Sequence, residues 1–441
     1  MHTALFFRYI TQNIAGMIGL SCYILVDTWF VSLALGTNGL AALNLSITVF
    51  SVISGAGQLL GVGGGTDFAL RRAEGKDAGH ALSTSLAIGG ILSLLFACTG
   101  LFFSPLLTRF LGANEATFSL TQIYVRTTLL FAPAYMLNAI LQGFVRNDGS
   151  PHLAMISMLL SSGLNIILDY VFMFPLGMGM FGAVLATGLS ACLSTPVLLW
   201  HFACRRCSLL PLRAPYMPAA CLRLLSFGMS ALIGELASAI SLFTFNLLLM
   251  RLSGAVGVAA YGVIANAALV ATAVFTGLGQ GIQPLSSQVF GTEDRKGMRT
   301  LLSYIRNTVA ILSISIFALG FFFAQPIAGL FNHEQNAQLQ TMAETGLRLY
   351  FSGYLFAGAN IAAGAFLSAI NHPRKALVIS LLRSCVLLIP ASLLLSSALD
   401  TTGVWLAFPI TEAASCMLSL AFMKNASSKP LQSKIDKADY R

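Results

Sequence analysis

Charge is scarce in this sequence. Its 25 Lys and Arg and 16 Asp and Glu make up 9% of 441 residues, where an ordinary soluble domain carries about 25%. A chain so poor in charge cannot cover itself with a water-compatible surface, which excludes a soluble globular fold. Cysteine is thinly placed as well. The eight residues lie mostly inside apolar runs, with no pair in two outward-facing loops, so no disulfide framework is expected. One close pair, Cys204-Arg-Arg-Cys207 with His201 and Cys221 nearby, lacks the second pair that would complete a metal site. Catalytic signatures are missing too: the glycine run at 61–65 is not followed by the Lys-Ser/Thr of a phosphate loop, and neither a His-Glu-x-x-His motif nor a nucleophile elbow occurs. His2, His80, His201, His333 and His372 fall at the terminus, in loops or at helix ends and read as solvated. No enzyme is expected.

What the chain has in abundance is apolar length. It is 56% hydrophobic, with a mean hydropathy of +0.79. At about 20 apolar residues per crossing it holds about twelve transmembrane helices, an all-α integral membrane protein. The first helix starts within a few residues of Met1 and shows no cleavage site before a soluble domain, so it is expected to be retained. The formal charge of +9 does not point to nucleic acid, because most Lys and Arg fall on one side of the predicted membrane, in the loops around Arg71, Arg146, Arg205, Arg295 and Arg374 and after Lys424. Arg109, Arg126, Arg251 and Arg348 fall on the other. That bias places both termini in the cytoplasm, with a polar tail resting on anionic lipid.

The two halves repeat. Setting Gly63 on Gly279 also sets Gly75 on Gly291, Arg126 matches Arg348, Pro151 matches Pro373, and Gly182-Ala-Val-Leu-Ala186 matches Gly403-Val-Trp-Leu-Ala407. Six spans per half is an even number, so the halves enter from the same side as a parallel repeat about an axis along the membrane normal, with a substrate site between lobes. The expected layout is lobe 1–204, linker 205–220, lobe 221–424 and tail 425–441. Pro133, Pro284, Pro390 and Pro409 lie inside predicted spans as kinks.

Against this background the interior polar groups stand out. Asp27 is the single charge between Arg8 and Asp67, and an ionisable group at that depth costs about 2.5–3.5 kcal/mol on insertion scales, so it is expected to face a cavity or a partner. Asn165 and Asp169 are four apart on the fifth span and share a face; helix-end capping near Pro175 is the alternative reading of Asp169. Thr187 adds an uncharged oxygen, and Tyr23 and Tyr124 add hydroxyls. In the second half Glu235 and Glu412 read as lone acids lining a cavity that attracts cations, with Asn246 three turns from Glu235. Asp67, beside Arg71 and Arg72, reads as a cytoplasmic helix end.

Taken together, Tyr23-Ile-Leu-Val-Asp27, Gly36, Leu40-Ala-Ala42, Ala259-Ala-Tyr261-Gly262-Val-Ile and Gly277-Leu-Gly-Gln-Gly281-Ile-Gln283-Pro284 resemble the multidrug and toxic compound extrusion (MATE) family over nearly the whole chain, most of all its bacterial MepA-type branch. The resemblance implies two six-helix lobes related by a pseudo-twofold axis. It also implies a cation-coupling site at Asp27, Asn165, Asp169 and Thr187, with Tyr124 beside it, that binds Na⁺ or exchanges a proton. Tyr23, Glu235, Asn246, Gln283 and Glu412 would line the substrate cavity. The implied function is an inner-membrane bacterial antiporter exporting organic cations against inward H⁺ or Na⁺, with membrane lipid around it, no nucleic acid, no cofactor beyond the coupling ion and a monomeric state. A lipid-linked oligosaccharide flippase of related architecture is the alternative, and it would want basic groups in its cavity. Three positions depart from the family pattern: Gln12 and Ser230 stand where prolines are common, and Ser32 where a glycine is. Gly16 and Gly19 remain as places where the first helix could bend.

Overall fold

The computed structural model describes residues 3–203, 218–332 and 335–428; among them there are thirteen α-helices, one π turn and no strand. Three helices are too long for a single crossing. The 71 residues of α1 (Thr3–Ala73) would run about 100 Å at 1.5 Å per residue, some three bilayer cores. Each doubles back at a single left-handed residue: Gly36 in α1 (φ 62°, ψ −151°), Gly254 in α7 (Pro218–Gly291; φ 62°, ψ −150°) and Asp400 in α13 (Leu388–Ser428; φ 51°, ψ −134°). Glycine takes this conformation at no steric cost. Beyond the turns Gly257 packs on Leu249 and Gly403 on Leu395. Residues eight apart on an unbroken helix would be about 12 Å apart.

Twelve crossings result. The two arms of α1 are followed by α2 (Gly79–Phe110), a pair bent by 50° made of α3 (Glu115–Leu130) and α4 (Ala132–Asn147), α5 (Pro151–Met173) and α6 (Gly179–Ala203). The second half repeats the order. The two arms of α7 lead to α8 (Arg295–Phe322) with the short α9 (Ala324–Phe331), then to a pair bent by 46° made of α10 (Ala337–Phe351) and α11 (Tyr354–Ala369). Next, α12 (Pro373–Leu381) passes through the π turn Leu382–Val386 into the first arm of α13, and the second arm of α13 completes the set. Pro133 sits at the α3–α4 break and Pro390 just past the π turn, whereas α7 and α13 continue through Pro284 and Pro409.

The repeat is real, with its register moved by two residues in the α1–α7 pair. Superposing the Gly36 and Gly254 turns sets Gly61 on Gly279 and Gly63 on Gly281. Contacts agree: Gly61 packs on Ala139 of α4 and Gly279 on Ile361 and Ala365 of α11, while Gly63 packs on Gly228 and Gly281 on Ile10. Gly75 then corresponds to Glu293, and both adopt positive φ (71° and 54°). Sequence identity aligns Gly75 with Gly291 instead, because the left-handed helix end is a glycine only in the first half.

The halves meet along a seam at the end of the bundle that carries the N-terminus. There Gly63 and Gly228 bring the second arm of α1 against the first arm of α7, and Gly277 and Gly281 bring the last arm of α7 against Asn13 and Ile10. At the opposite end Gly36 and Gly254 have no neighbour within 4 Å. The arms also exchange cores: Phe6, Tyr9 and Ile10 belong to the large apolar cluster of the second half, and Leu224 to a cluster of the first. Asp67, read from sequence as a simple helix end, is 1% exposed and bridges the seam, accepting a hydrogen bond from Arg71 at 2.9 Å and forming an ion pair with Arg223 at 2.7 Å. Arg223 is one-third exposed and Asp67 keeps Arg71 without it. Arg223→Ala is therefore expected to favour seam opening by no more than about 1 kcal/mol, roughly fivefold, seen as modestly faster thiol labelling of a cysteine placed at Ala73.

His201 corrects a second expectation. It is buried, 4% exposed, with Nε2 2.8 Å from Asp148, whose other oxygen takes Arg72. Cys204, Cys207, His333, nearly all of the linker and most of the tail lie outside the described residues.

Candidate functional site

The apolar core of the second half is one continuous cluster, whereas that of the first half is divided into several smaller ones. Between those pieces α1, α3, α5 and α6 deliver polar side chains to one buried cluster. Asp27 is 8% exposed, Asp169 0%, Asn165 1% and Tyr124 6%. The helical spacing of Asn165 and Asp169 puts both on the inward face of α5, and Asn165 Nδ2 donates to Thr187 Oγ1 of α6 at 3.1 Å. Thr187 in turn donates to Ala183 O at 3.1 Å, so its hydroxyl is oriented.

The carboxyl groups of Asp27 and Asp169 come within hydrogen-bonding reach of each other. Asp27 Oδ1, Asn165 Oδ1 and both carboxylate oxygens of Asp169 are buried without a donor. Among the described residues no Lys or Arg appears as their hydrogen-bonding or ionic partner. The absence of a donor and the closeness of the carboxyls describe one situation, since two ionised carboxylates cannot hydrogen-bond until a proton or a cation joins them. These oxygens fit a hard monovalent cation or a proton. Capping of a helix end is not what Asp169 does, for it lies a full turn inside α5 and α5 ends at Met173. Tyr23 and Tyr124 stand within electrostatic reach of both carboxylates. Tyr135 of α4 does so too, a member that sequence spacing does not reveal because α4 enters only through the α3–α4 bend.

The remaining candidates separate. Glu235 lies on the first arm of α7 at the seam, its Cβ against Gly55 of α1, within electrostatic reach of Tyr23. It therefore packs directly on the first half. Asn246 is half-buried further along the same arm. Gln283 is 6% exposed with an unpartnered Oε1, on the arm of α7 that closes on α1. Glu412 departs from its reading as a lone cavity acid. It is 2% exposed and fully engaged: Arg383 donates through Nε and Nη2 at 3.0 and 2.6 Å, and Asn360 Nδ2 at 2.6 Å. Gly16 and Gly19 also have a different use. A Cβ at either would meet Met158 or Leu159 of α5, so they let α1 approach α5 closely, and the first arm continues as helix through Gln12.

A family model described as MatE matches residues 14–171 and 230–394. The chain belongs to the MatE family. Among curated MatE-like relatives, a multidrug export protein MepA of Staphylococcus saprophyticus is 24% identical over 404 residues, covering 90% of this chain and 88% of that one. Its counterpart in Staphylococcus aureus is 26% identical over the same coverage. A crystal structure of MATE in complex with MaL6 superposes with a TM-score of 0.90 at 24% identity, over 96% of each chain. A Pyrococcus furiosus transporter of the MOP superfamily, described as having a binding pocket of reversed polarity, superposes at 0.89 and 24% identity, over 97% of this chain and 96% of that one. At these identities the structural likeness establishes the fold. This MatE chain is thus a multi-pass membrane protein of a multidrug efflux transporter family.

Proposed function

We propose that this chain is a secondary antiporter that exports organic cations in exchange for inward H⁺ or Na⁺, with Asp27, Asn165, Asp169 and Thr187 as the coupling site and Tyr124 closing its wall. The observation that carries the reading is the pair of buried carboxylates without a basic partner. At hydrogen-bonding range two such charges repel by on the order of 4 kcal/mol at an effective dielectric of 20, roughly a thousandfold preference for a state that holds a proton or a cation. Coupling-ion binding and substrate cation binding are then alternatives at one negative cluster, and each favours a different arrangement of the lobes. The seam closed at the N-terminal end supports an outward-facing state, in an inner membrane of a bacterium with both termini cytoplasmic, monomeric and surrounded by lipid.

One-for-one exchange of like charges moves no net charge, so voltage contributes only when two ions enter for each monovalent cation that leaves. At 100 mV that single net charge adds about 2.3 kcal/mol, roughly fiftyfold in attainable gradient. The Tyr23 hydroxyl and Glu235, within electrostatic reach of each other, are the proposed contacts for the organic cation, with Asn246 and Gln283 further along α7. A flippase for phosphate-linked lipids is not favoured, because the guanidinium of Arg383 is closed on Glu412 rather than open to a phosphate.

Proteoliposomes loaded with ethidium and given either a pH step or a Na⁺ step test this directly. Efflux driven by at least one gradient is expected, and its loss when that gradient is collapsed. Equal efflux without any ion gradient would overturn the antiport reading.

A further inference from the structure

The repeat places the two halves in register, so the second half can be read against the buried cluster of the first. Phe245 stands as far before Gly254 as Asp27 stands before Gly36. Counting from Pro151 and Pro373, with one residue added for the π turn that interrupts the second count, Leu388 and Ser392 replace Asn165 and Asp169, all four buried, and counting from Gly182 and Gly403, Phe408 replaces Thr187. Neither carboxylate of the coupling set is kept: three of the four positions are apolar and the fourth is a serine. The space is filled accordingly: Phe408 stacks on Tyr350 at 4.3 Å between ring centroids, and Phe245 meets the same ring edge-on at 6.3 Å.

Among the described residues of this half, the fully buried acid is Glu412, on the second arm of α13. Three donors hold its two oxygens, two from Arg383 and one from Asn360, and Asn360 Oδ1 accepts from Ser419 at 2.7 Å. Arg383 lies in the π turn Leu382–Val386, where α5 at the corresponding place is an uninterrupted helix. A π turn adds a residue and rotates the helix beyond it by about 100°, so the turn sets the direction of Arg383 relative to the rest of α13. Pro390, four residues beyond Val386, has no N–H for the Val386 carbonyl and helps to stabilise the altered ladder. The other titratable groups facing Glu412 are Tyr350, Tyr354 and Cys416.

The geometry points to Arg383 as a built-in counter-ion that prevents Glu412 from taking up a coupling cation, so that the number of ions moved per substrate is set by the first half alone. This inference rests on the antiport reading above. Arg383 acts through Glu412 and is a positioning residue. A buried ion pair is replaceable by neutral groups of like volume at little cost, whereas removing one partner strands the other. That asymmetry makes the assignment testable.

In proteoliposomes of phosphatidylethanolamine and phosphatidylglycerol, ions taken up per ethidium released are to be counted for the full-length chain, Arg383→Met and Arg383→Met/Glu412→Gln. Arg383→Met is expected to gain one cation per dye through the stranded Glu412, and the double variant is expected to return to the wild-type ratio with efflux within about twofold. An unchanged ratio in an active Arg383→Met would overturn the inference, as would a folded double variant that has lost efflux, which would put the pair on the transport path. Should Arg383→Met fail to fold, loss of efflux in a folded double variant would still overturn the inference. Proton-uptake titration of the detergent-solubilised proteins gives a second reading that needs no transport, with one extra titrating group expected in the single variant only. Absence of ethidium efflux from the wild type under every gradient would reject the functional reading itself, and the titration would then judge the role of Arg383 separately.

Discussion

Asp169→Asn is expected to reduce gradient-driven ethidium export to background, at least tenfold below wild type, in vesicles holding equal amounts of folded protein. The asparagine keeps the shape and the hydrogen-bonding capacity of the side chain while removing one of the two charges whose repulsion drives ion uptake. With a single carboxylate left in the cluster, the preference of roughly a thousandfold for a proton-filled or cation-filled state disappears, and with it the alternation of occupants. Asp27→Asn should act in the same way. The wild type carries a further signature in its pH dependence. The ionised pair attracts the organic cation and protonation removes that attraction, so ethidium binding should strengthen as pH rises through the titration of the pair and weaken as pH falls. In either Asn variant this dependence should flatten. Full export by both variants, or binding that strengthens toward low pH, would reject the coupling site.

The second large effect concerns the seam. A Cβ added at Gly228 would fall on the backbone carbonyl of Leu59, and one at Gly63 on that of Leu224. Backbone cannot swing aside as a long side chain can. Overpacking of this sort costs about 1–3 kcal/mol, and the cost falls only on the closed arrangement, since the residues separate when the seam opens. Gly63→Ala and Gly228→Ala are therefore expected to shift the conformational equilibrium some 5–150-fold toward the seam-open state and to slow turnover accordingly. The reporter is a cysteine introduced at Ala73, which packs on Gly291 in the closed seam and should label with maleimide far faster in the Gly228→Ala background. Gly262→Ala is the control, because nothing lies within 4 Å of a Cβ there. Equal labelling in the two backgrounds would mean that the seam does not gate.

Much of this architecture is legible in the sequence because long apolar stretches and isolated charges are strong signals. A lone Asp27 in an uncharged run and a helix-spaced Asn165–Asp169 pair have few ways to be satisfied, and the structure brings them together with Thr187 and Tyr124. What escapes the sequence depends on contacts between distant elements. The partner of Glu412 is 29 positions earlier and reaches it from a π turn that no local pattern announces. Asp67 looks terminal until the first arm of α7 brings Arg223 to it, and His201 looks solvated until the end of α4 supplies Asp148. The register of the repeat escapes for a related reason: Gly75 and Glu293 share a backbone conformation although they do not share a residue type.

The exchange of arms between the two cores also bears on how the protein is made. Thr3 is hydrogen-bonded to Tyr304, 301 residues later, and Phe6 packs on the same ring at 5.3 Å. At synthesis rates of roughly 5–20 residues per second, the ribosome needs on the order of 15–60 s after the first arm emerges before its docking surface exists. During that interval the newborn N-terminal segment waits in the membrane with its destination untranslated, and a product truncated midway would have nowhere to seat it.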